Sequence, residues 1–230
     1  MRNFLLVVIL FLNILILNST NLKSNTIFEV TLPTIVVTAE NKDLKIKQLV
    51  DSINKIDIKN LRTITFNFDT SIIFNYLPAL KSKKLRNYQL KNYNAIVKMK
   101  PVWDYLELKY DIPNFISISF WIEETGYGKS RLFQNHNNLG GIKSRTEKGS
   151  FKAKDDHGDE LCFFRTYNLL LKGIDDWAKV LLQDRYMNKI TKPDNYENWI
   201  KAYKRGGYWS SDQGVYNRIK HIKDLNLDKL

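Results

Sequence analysis

Cysteine is almost missing from this chain. Cys162 is the only one, so no internal disulfide can form, and one thiol makes no zinc site by itself. The apolar residues around it predict a buried, inert thiol. Histidine is nearly as scarce, with three in 230 residues. His136 and His157 fall in different segments, with no H-x-x-H or H-E-x-x-H pattern around either. That argues against a catalytic metal, and no cofactor is implied. No internal repeat is evident. Acidic residues are in deficit: 24 Asp and Glu face 36 Lys and Arg, a formal charge of +12. Such an excess attracts polyanions (nucleic acid, acidic lipid or an anionic wall polymer), although solubility alone would also use it. What is present supports a real core. Hydrophobic residues make up 43% and aromatics 13%, ample for one domain plus extra segments.

The N-terminus narrows the partners. Arg2 supplies a positive start, and Phe4 to Leu17 is apolar apart from Asn13. This run is too short for a good membrane span but suits a signal-peptide core. Ser19 and Thr20 follow without a clean A-x-A site, so an uncleaved anchor is the alternative to cleavage. No cysteine follows the apolar core, which excludes a lipoprotein anchor. Export makes nucleic acid a poor partner and an envelope polymer the better one. Membrane contact is expected through this segment alone, and the chain is expected to act as a monomer.

Residues 21–43 read as a tether with one possible short strand. From Leu44 to Ile58 the apolar residues recur at helical spacing. Residues 61–84 alternate weakly, turn basic at "KSKK", and carry no clear assignment. Helical patterning resumes at Asn87, and Pro101 is placed to start a new helix. "DIPNFISISFWIEETGYG" follows, with a cap-like start and no turn signal until Gly126. Apolar nearly all round, it reads as a buried helix.

That helix ends on Glu123 and Glu124. A carboxylate at a helix C-terminus meets the negative end of the dipole. Beside apolar residues, such a group is expected to hold its proton more tightly, which is what a general acid needs. Two solvated glutamates that merely end a helix would look the same, so the pair alone does not decide. Asn137 and Asn138 can offer amide donors and acceptors to a ligand, and Tyr127 and Tyr208 can offer flat, amphipathic faces with a hydroxyl. Trp177 and Trp199 read as core, and Trp209 as core or binding platform. Lys143, Arg145, Lys148, Lys152 and Lys154 form either a steering surface or a solvated loop.

The whole string "ISFWIEETGYGKSRLFQNHNNLGGIK" resembles the glucosaminidase family of peptidoglycan hydrolases, whose pattern runs roughly "LAQAxLESGWGxSxLAxxxxNLFGIK". Glu124 falls on the family's catalytic glutamate. Thr125 and Tyr127 replace its serine and tryptophan, and Gly140 stands where it usually has phenylalanine. "FFRTYNLLLKGIDDWAKVLL" and "YKRGGYWSSDQGVYNRIKHI" are similar to later family segments. The resemblance covers about residues 90–225. It implies a mainly α (α+β), lysozyme-like helical domain at 86–230 with a short β-hairpin lobe near 144–163. Residues 1–20 would be a signal peptide or anchor and 21–85 an extension. It implies hydrolysis of the β-1,4 bond after N-acetylglucosamine in peptidoglycan, with Glu124 as the acid and Tyr127, Asn137, Asn138 and Tyr208 contacting substrate. Asp155, with Asp156 close behind, is the candidate base, unless the substrate's own N-acetyl group assists. A lytic transglycosylase is the nearest rival, but its "GLMQ" continuation is missing. A wall-binding module without turnover is the other.

Overall fold

The computed structural model describes residues 39–64, 68–154 and 161–230. Contacts divide the chain into two compact units, Met1–Lys45 and Ile46–Leu230. Only residues 39–45 of the first are described, as the opening of helix α1 (Ala39–Ile53). The remaining helices are α2 (Ser71–Tyr76), α3 (Asn87–Lys98), α4 (Lys100–Tyr110), α5 (Asn114–Thr125) and α6 (Arg131–His136). After them come α7 (Leu170–Leu181), α8 (Asp184–Met187), α9 (Tyr196–Arg205) and α10 (Asp212–Leu225). One antiparallel hairpin, β1 (Ser150–Lys154) and β2 (Leu161–Arg165), sits between α6 and α7. The protein is therefore mostly helical with a small two-stranded sheet. No helix among the described residues is long and apolar enough to cross a membrane.

Helix α5 is the axis of the second unit. Ile116, Ile118, Phe120, Trp121 and Ile122 are all buried, as an apolar run without a polar face requires. Ser117 and Ser119, also buried, return their hydroxyls to backbone carbonyls of Asn114 and Ile116. Trp103 of α4 meets Trp121 edge-on at 5.3 Å, and Phe120 meets Tyr203 of α9 at 4.9 Å. Pro101 lies in the first turn of α4, where its missing N–H costs no helix bond. Helix α1 ends at Ile53, so Ile56 packs on the core from beyond the helix.

Among its described residues, the segment that carried no assignment holds only short pieces, α2 and a 3-10 turn at Pro78–Leu80, and another 3-10 turn, Ile58–Asn60, comes just before it. Leu61, Ile73, Leu77 and Leu80 plug into the common core. The buried Asn94 amide of α3 donates to the carbonyls of Leu61 and Thr63. Cys162 departs from expectation. It is only half-buried: paired with Ala153 and on the Phe164 face of the hairpin, it lies on the side that borders the open cleft and not under a second layer.

Candidate active site

The corner that ends α5 is built by local rules. Gly126 caps the helix in the left-handed conformation at φ 57°, its N–H donating to Ile122 at 2.8 Å; this is the usual glycine exit from a helix. Thr125 takes over the serine's place in the family string. Its hydroxyl donates to the Trp121 carbonyl and accepts from the Gly128 N–H at 2.8 Å. Gly128 has φ 79°, and a Cβ there would come within 3.1 Å of the Trp121 ring. Ser130 then caps α6 by accepting from Phe133 N–H. The chain thus doubles back within five residues and leaves Glu124 at the lip.

Glu124 lines a cleft of about 1000 Å³. Gly140, Gly141 and Ile142 form the corner beside it, Phe151, Ala153 and Phe164 come from the hairpin, and Tyr208 and Trp209 form the facing wall. The corner is tied to the hairpin by an isolated bridge between Lys143 and Phe164 and by Arg165 N–H donating to the Ile142 carbonyl at 2.9 Å. Arg131, Lys143, Arg145, Arg165 and Arg185 also line the cleft. Of these, Arg165 is paired with Asp176 at 2.7 Å.

The two adjacent glutamates have separate environments, both set by α10. Glu124 Oε1 accepts from Arg218 Nη2 at 2.7 Å. Glu123 Oε1 lies 2.7 Å from His221 Nε2, and its Oε2 accepts from Asn217 at 3.0 Å. Burial pushes the Glu123 carboxyl up, but its bonds to His221 and Asn217 and the Arg218 charge outweigh that, leaving it below the usual range. A depressed carboxyl contributes stability above its unfolded-state pKa, about 4.3, and loses it as pH falls through the folded value. The expected result is a melting temperature that drops with acidification below about pH 4.3. It should drop less steeply in Glu123→Gln. Parallel acid limbs in the two proteins would contradict this linkage.

The other anticipated site residues are placed as follows. Tyr208 is on the cleft wall, its hydroxyl accepting from Trp177 Nε1 at 3.1 Å. Burial, with the Glu124 charge next, pushes its phenol well above the ordinary range, so it stays a hydroxyl. Trp209, left open between core and platform, lines the same wall with the Arg218 guanidinium 4.1 Å from its ring centre. Trp177 and Trp199 are core. Tyr127 is turned elsewhere: it packs edge-on against Tyr93 at 6.4 Å and His221 at 6.0 Å and is not among the cleft-lining side chains.

The two asparagines have internal tasks. Asn137 ends α6 at φ 54° and donates to the Tyr167 carbonyl at 2.8 Å. Asn138, 1% exposed, donates to the carbonyls of Ile142 and Arg165 and accepts from Ile142 N–H. Its amide stitches the corner to β2. Asp155 and Asp156 lie outside the described residues. Phe151, Phe164 and Arg218 were not anticipated; alternate hairpin positions facing the cleft were a usable signal for the first two, and nothing local marks the third.

Gly140 has its own explanation. A Cβ there would fall 2.3 Å from Trp177 Cδ1 and 2.4 Å from its Nε1. The Trp177 indole of α7 fills the space against this glycine and leaves no room for the family's phenylalanine.

Residues 100–227 match the sequence pattern of the glucosaminidase family, described as mannosyl-glycoprotein endo-beta-N-acetylglucosaminidase. The match covers more than half of the chain, which therefore belongs to this family of glycoside hydrolases. Among curated proteins no sequence match is found. Similar solved structures include a peptidoglycan hydrolase from Sphingomonas sp. A1, at 20% identity and TM-score 0.48, covering 57% of this chain and 87% of that one. The catalytic domain of the autolysin Auto from Listeria monocytogenes has 17% identity and TM-score 0.49, with 73% and 99% covered. The glycoside hydrolase domain of FlgJ from Salmonella typhimurium has 19% identity and TM-score 0.44, with 56% and 84% covered.

Proposed function

We propose that this chain hydrolyses the glycan of peptidoglycan, cutting the β-1,4 bond after N-acetylglucosamine. One observation carries the reading. Among the described residues lining the cleft, Glu124 is the only carboxylate, and it is the residue that falls on the family's catalytic glutamate. Glu124 protonates the leaving glycosidic oxygen and water completes the hydrolysis. Tyr208 presents its ring edge and hydroxyl to the sugar. Asp155, or Asp156 next to it, activates the water; assistance from the substrate's N-acetyl group is the alternative. Tyr127, Asn137 and Asn138 have internal partners and are left out of this scheme.

The five cleft cations suit a glycan that carries carboxylates on its lactyl ethers and stem peptides. Residues 1–20 serve export, cleaved or retained, and bring the catalytic domain at 86–230 to the envelope. Of the extension at 21–85, the part from Ile46 onward belongs to the same compact unit as that domain.

Reducing-end analysis of digested sacculi tests the reaction. New reducing N-acetylglucosamine is the expected product. Anhydro-muramic ends would make the chain a lytic transglycosylase, and intact strands a binding module. Binding to sacculi is expected to weaken as salt rises, because exposed charges are screened beyond about 8 Å at physiological ionic strength. Affinity that stays flat from low to high salt would remove the cleft cations from the scheme.

A further inference from the structure

We propose that Arg218 is a positioning residue for Glu124: its buried guanidinium anchors one carboxylate oxygen and sets the proton affinity from which the acid works. The inference rests on the assignment of Glu124 as the acid. Arg218 is 4% exposed. Its Nη2 donates to Glu124 Oε1 at 2.7 Å, and its Nη1 donates to the Gly214 carbonyl at 3.0 Å. The guanidinium is 4.1 Å from the Trp209 ring centre and 4.9 Å from that of Phe120. Two aromatic rings, a backbone carbonyl and a carboxylate therefore hold the planar group. Its Nε is buried with no hydrogen-bond partner among the described residues.

An ion pair whose cation is buried and whose carboxylate is only half-buried is a poor way to gain stability, since apolar side chains of similar volume often do as well. Placement beside the cleft gives it another use. Oε1 is committed to Arg218, while Oε2 lies on the Gly141 side, 3.5 Å from where a Cβ on that glycine would be. Gly141 lines the cleft. The grip on one oxygen thus fixes the direction in which the other faces the sugar. Electrostatically, the guanidinium favours the ionised carboxylate, which acts against the tighter hold on the proton expected from the negative end of α5. The groups facing this pair are Tyr208 from the segment between α9 and α10 and Glu123 of α5, itself bonded to His221 and Asn217 of α10. Lys143 lines the same cleft from the corner.

Arg218→Met and Arg218→Lys, each alone and combined with Glu124→Gln, test the role through kcat, KM and pH profiles on soluble peptidoglycan fragments, with thermal melts as the folding control. Arg218→Met is expected to lower kcat about 10- to 100-fold, the scale of a slightly misaimed catalytic group, with little change in KM. Its alkaline limb should move to higher pH. Without the cation the acid keeps its proton further up the scale. Arg218→Lys keeps the charge, so it should recover most of the lost kcat and leave the limb where the native enzyme has it. Combined with Glu124→Gln, loss of Arg218 should cost nothing further.

A folded Arg218→Met with native kcat and an unmoved limb overturns the inference. So does an equal loss in the Glu124→Gln background, or an effect on KM alone. If the Met variant does not fold, the Lys variant decides: a limb displaced upward despite the retained charge overturns the proposal, and a limb in place upholds it. An active Glu124→Gln would sink the acid assignment itself, whereas an inactive one beside an unaffected Arg218→Met sinks only the role of Arg218.

Discussion

Glu124→Gln is expected to yield a folded protein that binds sacculi and releases reducing ends about a hundred- to ten-thousand-fold more slowly, the usual worth of general acid catalysis. Glutamine keeps the shape and can still accept the Arg218 bond at Oε1, but it has no proton to deliver. The neighbouring substitution separates chemistry from architecture. Glu123 is bonded to Asn217 and His221 on α10 and does not line the cleft. Glu123→Gln should therefore loosen the contact between α5 and α10 and retain most of the turnover. The two variants are compared by the rate of reducing-end release, with melting curves to confirm that each is folded. Native-like turnover in Glu124→Gln beside a dead Glu123→Gln would reverse the assignment.

The second large effect is structural. Gly140→Phe installs the residue the family usually carries, and it is expected to damage this chain. A Cβ at position 140 would be 2.3 Å from Trp177, a distance real contacts do not reach, and 3.2 Å from the Tyr208 hydroxyl. Trp177 is fully buried and cannot swing away. Overpacking of this kind costs about 1–3 kcal/mol. Losing the Trp177 to Tyr208 hydrogen bond adds about 1 kcal/mol. For a domain of this size, a total near 3 kcal/mol lowers the melting temperature by roughly 6–12 °C. The displaced Tyr208 should also weaken turnover. Trp177→Ala vacates the space, so the double variant should melt above Gly140→Phe alone. A Gly140→Phe protein that melts like the native one would show that the indole is not wedged against this glycine.

Much of the frame was legible in the sequence. The apolar run of α5, its glycine exit, the proline start of α4 and the hairpin before α7 all follow from short-range rules, and the structure contains them. Residues 61–84 were opaque because their elements are too short for a period to show; burial of Leu61, Ile73, Leu77 and Leu80 holds them in place. Cys162 misled because apolar neighbours imply a core only where a second layer exists. The sequence shows that Asn138 carries an amide that can donate and accept; that it donates to two backbone carbonyls in a buried position is visible only in the fold.

The sequence by itself determined where a carboxylate would meet a tight glycine corner. Helical period and the need for glycine at positive φ act over a few residues, so adjacent letters contain the answer. Only the tertiary structure decided what each glutamate faces. Arg218 is 94 residues from Glu124 along the chain, one cation among many on a polar helix. Its meaning comes from being carried into the core between Trp209 and Phe120, where burial of the cation strengthens its hold on the half-buried carboxylate.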